Sequence, residues 1–221
     1  MMHSSYRIAL LAGCLLLVLA CMRPQLEGAP VQDVFGFELK SHELEQASHI
    51  TQGVPIESLA PKYQDLFYLT AVMNEFRTAD YIAVTMDGNS EYVFVDKRNG
   101  ALGTFVVRSR LTEKQMKRLQ KAVEASNFRV LSHSYHTNVA DGIARGIIAR
   151  CNGTLKRIWM SNYFPAELTP LFLAEREVFG DLQSLRNGSH VEPSAKSDRW
   201  DVDEALEAAN PGRNTRPQVR P

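Results

Sequence analysis

The chain has 221 residues, 44% hydrophobic and 23% charged, with a formal net charge of zero. These are ordinary globular values, and the length suits one domain with a sizeable core. Three cysteines in a chain this long do not make a disulfide scaffold, so stability must come from packing.

The first element is an export signal. Arg7 supplies the positive charge, and Ile8 to Ala20 is a thirteen-residue apolar run. A membrane span needs about 20 apolar residues, so the run has the length of a cleavable signal. An uncleaved anchor is the alternative. Val18 and Ala20 stand at −3 and −1 of a cut before Cys21. The stretch resembles bacterial lipoprotein signals, in which a box of the type Leu-(Ala/Ser)-(Gly/Ala)-Cys is cut before a cysteine that becomes diacylated. "LAGC", Leu11 to Cys14, matches the box better but leaves six apolar residues, Ile8 to Gly13. "VLAC", Val18 to Cys21, departs at Leu19 but follows a full apolar run. Length selects Cys21 as the lipidated residue, with Cys14 as the alternative. The resemblance implies a lipoprotein facing the periplasm or the cell exterior and held at the membrane by its lipid. An ordinary signal peptidase cutting the same bond would give plain secretion. Either way Cys151 is left without a disulfide partner and reads as a small buried hydrophobe.

Residues 21–56 show little periodicity and read as a tether with irregular structure. In "SLAPKYQDLFYLTAVMNEF", Tyr63, Leu66, Phe67, Leu69, Val72, Met73 and Phe76 recur at helical spacing, and Pro61 suits a first turn. A helix is expected there. A β-meander follows: "YIAVTM" (Tyr81–Met86), "EYVFVD" (Glu91–Asp96) and "LGTFVVRS" (Leu102–Ser109). Turns at Asp87-Gly88 and Asn99-Gly100 separate the strands. "TEKQ", Thr112 to Gln115, is a capping box that opens a helix with Met116, Leu119, Ala122 and Val123 on one stripe. A polar loop over 132–142 precedes a hairpin of "IARGIIARC" and "TLKRIWM" around Asn152-Gly153. A last helix is expected from Thr169-Pro170 to Asn187-Gly188.

The implied fold is α+β: an antiparallel sheet of about five strands, meander plus hairpin, with two or three helices packed on one face. Residues 57–187 form the single domain. Residues 188–221 form a polar, largely disordered tail with a short helical candidate, "DVDEALEAA". "DYIAVTMDGNSEYVFV" and "LTEKQMKRLQKAVEASNF", spanning Asp80 to Phe128, resemble a group of uncharacterised secreted bacterial domains. That resemblance implies no active site.

Motifs for phosphate, dinucleotide, zincin or serine-hydrolase chemistry are absent: there is no GxxxxGK[ST], GxGxxG, HExxH or GxSxG. His133 and His136, with Asp141, are the one metal candidate, and a solvated polar loop is the simpler reading. "DGNSE" has alternate oxygen-bearing residues but lacks the glycine and closing glutamate of a calcium loop, so it reads as a turn. No catalytic residue and no cofactor are implied.

Charge is unevenly spread. Residues 24–80 carry nine acidic and three basic residues, whereas residues 96–160 carry thirteen basic and four acidic. Within the basic zone, Arg145, Arg150, Lys156 and Arg157 fall on the hairpin and Lys114, Lys117 and Lys121 on the capped helix. Solvation of an open sheet face explains them, and the functional alternative is an anion-binding surface. Outside the cytoplasm its partner would be anionic lipid, a cell-wall polymer or an envelope protein, not nucleic acid. The sequence therefore describes an exported, lipid-anchored accessory or binding module. A small metal-dependent hydrolase and a structural docking protein are the alternatives.

Overall fold

The computed structural model describes residues 32–37, 39, 42–50, 52–73, 79–98, 100–137, 143–188, 190–194 and 202–209. Cys14, Cys21 and Asp141 lie outside them. The described strands are β1 (Gln46–Ala47), β2 (Val54–Pro55), β3 (Leu66–Met73), β4 (Ala79–Thr85), β5 (Asn89–Arg98) and β6 (Ala101–Arg110). They continue with β7 (Ser134–His136), β8 (Ala144–Cys151), β9 (Thr154–Ser161) and β10 (Glu192–Pro193). All ten belong to one sheet, in the order β1-β7-β9-β8-β3-β4-β5-β6-β10, with β2 also pairing β9. The β7–β9 pair is parallel and the others are antiparallel. The helices are α1 (Pro61–Gln64), α2 (Glu113–Ala125), α3 (Thr169–Phe179), α4 (Leu182–Arg186) and α5 (Val202–Ala208).

This corrects the expected five-stranded antiparallel sheet with helices on one face. The sheet is mixed, has ten described strands, and is covered on both faces. The first face packs Tyr68, Ile82, Phe94, Ile147 and Ile158 against Leu119 of α2 and Leu171 of α3. The opposite face packs Leu69, Ala71, Val93, Ile148 and Leu155 against Ala205 and Leu206 of α5.

The decisive difference is β3. The helix expected over Ser58 to Phe76 is a helix only in the single turn α1, and residues 74–76 of it lie outside the described residues. Leu66–Met73 is instead the sheet's central strand, paired with β4 on one side and β8 on the other. The run is buried from Leu66 to Val72. A strand covered on both faces needs no polar residue at alternate positions, so its apolar residues also satisfy a helical template.

Other elements follow their local signals. Gln115 N–H donates to Thr112 Oγ1 at 3.3 Å and Thr112 N–H to Gln115 Oε1 at 2.9 Å, completing the capping box of α2. Asn152 (φ 46°) and Gly153 (φ 79°) both sit at positive φ, as a tight hairpin turn requires. The expected last helix is broken at Gly180 (φ 68°), where the chain leaves α3. Asp181 then caps α4 through Gln183 N–H at 2.9 Å. The polar tail contributes β10 against β6, and α5 on the second face.

Candidate functional site

The hairpin cations do not form one basic surface. Arg145 and Lys156 are fully buried on the α2–α3 face. Lys156 Nζ donates to the Arg129 and Leu131 carbonyls at 2.6 and 2.5 Å, and burial pushes its ammonium down to about 8. Arg157, one residue on, falls on the opposite face, where it donates to the Leu206 carbonyl of α5 at 3.1 Å. Arg150 donates to the Gln64 and Leu66 carbonyls at the entrance to β3. Lys117 pairs with Glu113 at 2.5 Å, one turn away. Lys114 and Lys121 are exposed on α2. Both sheet faces are covered, so the strand cations were folded inward and given partners there, while the α2 lysines stayed in water.

The histidine loop is also taken up by structure. His133 Nδ1 lies 3.0 Å from the His49 carbonyl, and His136 is an exposed residue of β7 opposite Gln46. Among the described residues no group of three or more His, Cys, Asp and Glu is placed to hold a metal ion. Asp87 organises the β4–β5 turn by accepting from Thr85 and from Asn89 Nδ2.

What the sequence did not reveal is a charged cluster inside the core. Arg145 Nη1 donates to Asp33 at 2.8 Å, and Nη2 donates to Glu175 of α3 and, at 3.0 Å, to Thr70 Oγ1 of β3. Tyr68 OH donates to the other Glu175 oxygen. The guanidinium also lies over Phe172 at 4.6 Å and Phe35 at 5.5 Å. Two carboxyls thus share one guanidinium in a buried site. Burial raises both Asp33 and Glu175 above the ordinary carboxyl range, with the Arg145 charge pulling the other way. The Tyr68 hydroxyl is raised well above its usual value, by burial first and then by the Glu175 charge. The same two carboxylates hold the Arg145 guanidinium protonated against its own burial.

Asp33 carries this cluster to the surface. It belongs to a tight loop, in which Phe37 N–H donates to Asp33 Oδ1 at 2.8 Å and Gly36 N–H donates to the Asp33 carbonyl at 3.1 Å. The far side of that loop walls a pocket of about 710 Å³, whose other wall is the end of α3 together with α4. Phe35, Phe37, Tyr92 and Leu173 give the pocket its apolar lining. Arg186 of α4 fixes one corner. Its Nε donates to Tyr92 OH at 2.6 Å, its Nη2 pairs with Asp80, and its guanidinium lies 5.0 Å from the centre of the Phe94 ring.

The pocket adjoins the charged cluster through Asp33, which belongs to both. Its lining, among the described residues, holds no cysteine, serine, threonine, lysine or histidine, and its carboxylates Asp33, Glu177 and Asp181 each accept bonds from neighbouring groups. Cys151 is elsewhere, at the β8–β9 turn, and burial pushes its thiol up to about 11, which suppresses the reactive thiolate at neutral pH. The arrangement can bind and orient a molecule. No sequence signal pointed to it, because Asp33, Tyr92, Glu175 and Arg186 come from four distant segments. The nearest hint was Arg145, one of two arginines in the otherwise apolar strand β8.

No family model, no curated protein and no solved structure matches this chain.

Proposed function

We propose that the chain is an exported, lipid-anchored binding module of the bacterial envelope, without catalysis of its own, whose ligand occupies the pocket between the Asp33 loop and α3–α4. The lining of that pocket supports the reading: aromatic and aliphatic surface with arginines, no cysteine, serine, threonine, lysine or histidine among the described residues, and carboxylates already bonded to their neighbours. Its volume, about 710 Å³, is in the usual range for small-molecule sites. The walls are pre-organised, because the Asp33 loop is tied to Arg145 and α4 is tied through Arg186 to β4 and β5. The anchor is Cys21, which the lipobox-like "VLAC" presents after a full apolar run, and its partner is the membrane.

The test is isolation of the full chain from its native envelope. Cys21→Ser should release it from membranes while Cys14→Ser should not, and mass spectrometry should find a diacylated Cys21. Native mass spectrometry of the gently solubilised protein should find a small molecule bound and released unchanged. An unmodified N-terminus at Cys21 would overturn the anchor. Release of a chemically converted ligand would overturn the non-catalytic reading.

A further inference from the structure

The pocket lining contains five charged side chains: Asp33, Arg176, Glu177, Asp181 and Arg186. Four are already engaged. Asp33 is paired with Arg145. Glu177 receives both a 2.6 Å and a 2.9 Å bond from the Arg118 guanidinium, a forked pair. Asp181 accepts from Gln183 N–H at 2.9 Å and Ser184 Oγ at 2.7 Å, and those bonds hold its carboxyl below the usual carboxylate range. Arg186 is paired with Asp80 and Tyr92. Arg176, in the last turn of α3, is exposed and its guanidinium has no ion partner among the described residues. Asp181 keeps its charge, since Gln183 N–H and Ser184 Oγ are neutral donors, and Arg176 is the lining cation without an ion partner among the described residues.

The apolar part of the lining is also unsatisfied. Phe37 is 40% exposed and Leu173, three residues before Arg176 on the same helix, is 44% exposed. Phe35 and Tyr92 lie between them, with ring centroids 6.4 Å apart. Residues three apart on a helix are neighbours on its surface. Leu173 and Arg176 thus present an apolar contact and a cation side by side at one rim.

Resting on the binding reading above, we infer that the pocket takes a small amphiphile with a single oxyanion head, carboxylate or phosphate, on Arg176, and an apolar tail against Leu173, Phe37 and Phe35. A guanidinium offers a planar fork of donors that matches both heads. A cationic head beside Leu173 would be repelled by the Arg176 guanidinium. A neutral polar head would leave Arg176 without its counter-ion.

Four probes below their micelle concentrations separate the cases: decanoate, decyl phosphate, decyl glucoside and decyltrimethylammonium, titrated calorimetrically into the full chain. Decanoate and decyl phosphate should bind, and the tighter of the two identifies the head. Arg176→Ala should weaken both at least tenfold, since a bond to a charged group is worth about 1.5–3 kcal/mol. Leu173→Ala should weaken all tails equally, whatever the head. Both positions are exposed, so the variants keep their fold, which circular dichroism verifies. Anion binding that is unchanged in Arg176→Ala overturns the inference. So does preferred binding of the glucoside or the trimethylammonium, although that result leaves the binding reading standing. Conversion of any probe to product overturns the binding reading itself.

Discussion

The two faces of the sheet solve the same problem differently. On the α5 face the contacts are mostly apolar, with Arg157 bonding the Leu206 carbonyl, and Gly146 is a point of close approach. A Cβ placed there would lie 2.7 Å from Leu206 Cδ2 and 3.3 Å from the Trp159 ring. On the α2–α3 face an ion cluster sits among Phe35, Phe172 and Ile147. Buried ion pairs contribute little net stability compared with apolar residues of the same volume, because desolvation offsets the Coulomb attraction. They are, however, directional. The Arg145 cluster specifies where α3 and the Asp33 loop must stand, and those two elements are the pocket walls. Both faces bury apolar side chains, and the charged cluster adds direction on one of them.

The largest break in that comparison comes from removing the shared cation. Arg145→Met leaves Asp33 and Glu175 buried without a counter-charge and should cost about 3–5 kcal/mol at pH 7 by urea unfolding. The loss should be smaller at pH 5, where the two carboxyls can take protons. A loss below about 1 kcal/mol at both pH values would show that the cluster does not hold the fold together.

The α5 face should break more gently. Leu206→Ala should cost about 2–4 kcal/mol, the usual range for truncating a buried leucine. Gly146→Ala should cost about 1–3 kcal/mol by overpacking against Leu206 and Trp159. The two should not add: with the leucine shortened, most of the clash at 146 disappears, and a double-mutant cycle should read that coupling. Strict additivity would mean that α5 does not press on Gly146.

The smallest effect is the sharpest discriminator between the faces. Asp33 and Glu175 have folded values above their ordinary ones of 3.8 and 4.5, so the folded state binds more protons than the unfolded state in the window above those values. The stability they contribute is complete below the ordinary values and is lost as pH rises through the raised ones. Thermal melts from pH 4 to 8 should show Glu175→Gln with a flatter pH dependence than the unaltered chain. Leu206→Ala should lower the curve without changing its slope.

Much of the fold was legible locally. The capping box Thr112–Gln115 marked the start of α2, Asn152-Gly153 marked the β8–β9 turn, and the meander strands matched β4, β5 and β6 apart from a few residues at their ends. Each of those signals acts within a handful of residues. Leu66–Met73 misled because its period was erased by burial on both sides. The tail misled in part because Ala205, Leu206 and Ala209 look unremarkable until a sheet face lies beneath them. The basic zone misled because a count of charges does not say which way a strand turns its side chains.

By itself the sequence determined what depends on near neighbours: the capped helix, the tight turns, and the absence of the common catalytic motifs. Tertiary structure alone decided which face each strand residue occupies, that Arg145 and Lys156 are inside while Lys114 and Lys121 are outside, and that Arg176 lines a pocket with no ion partner among the described residues. The physical reason is range. Turns and caps are short hydrogen bonds between residues close in the chain, whereas the partners of Arg145 lie 30, 75 and 112 residues away, and no local pattern encodes such a meeting.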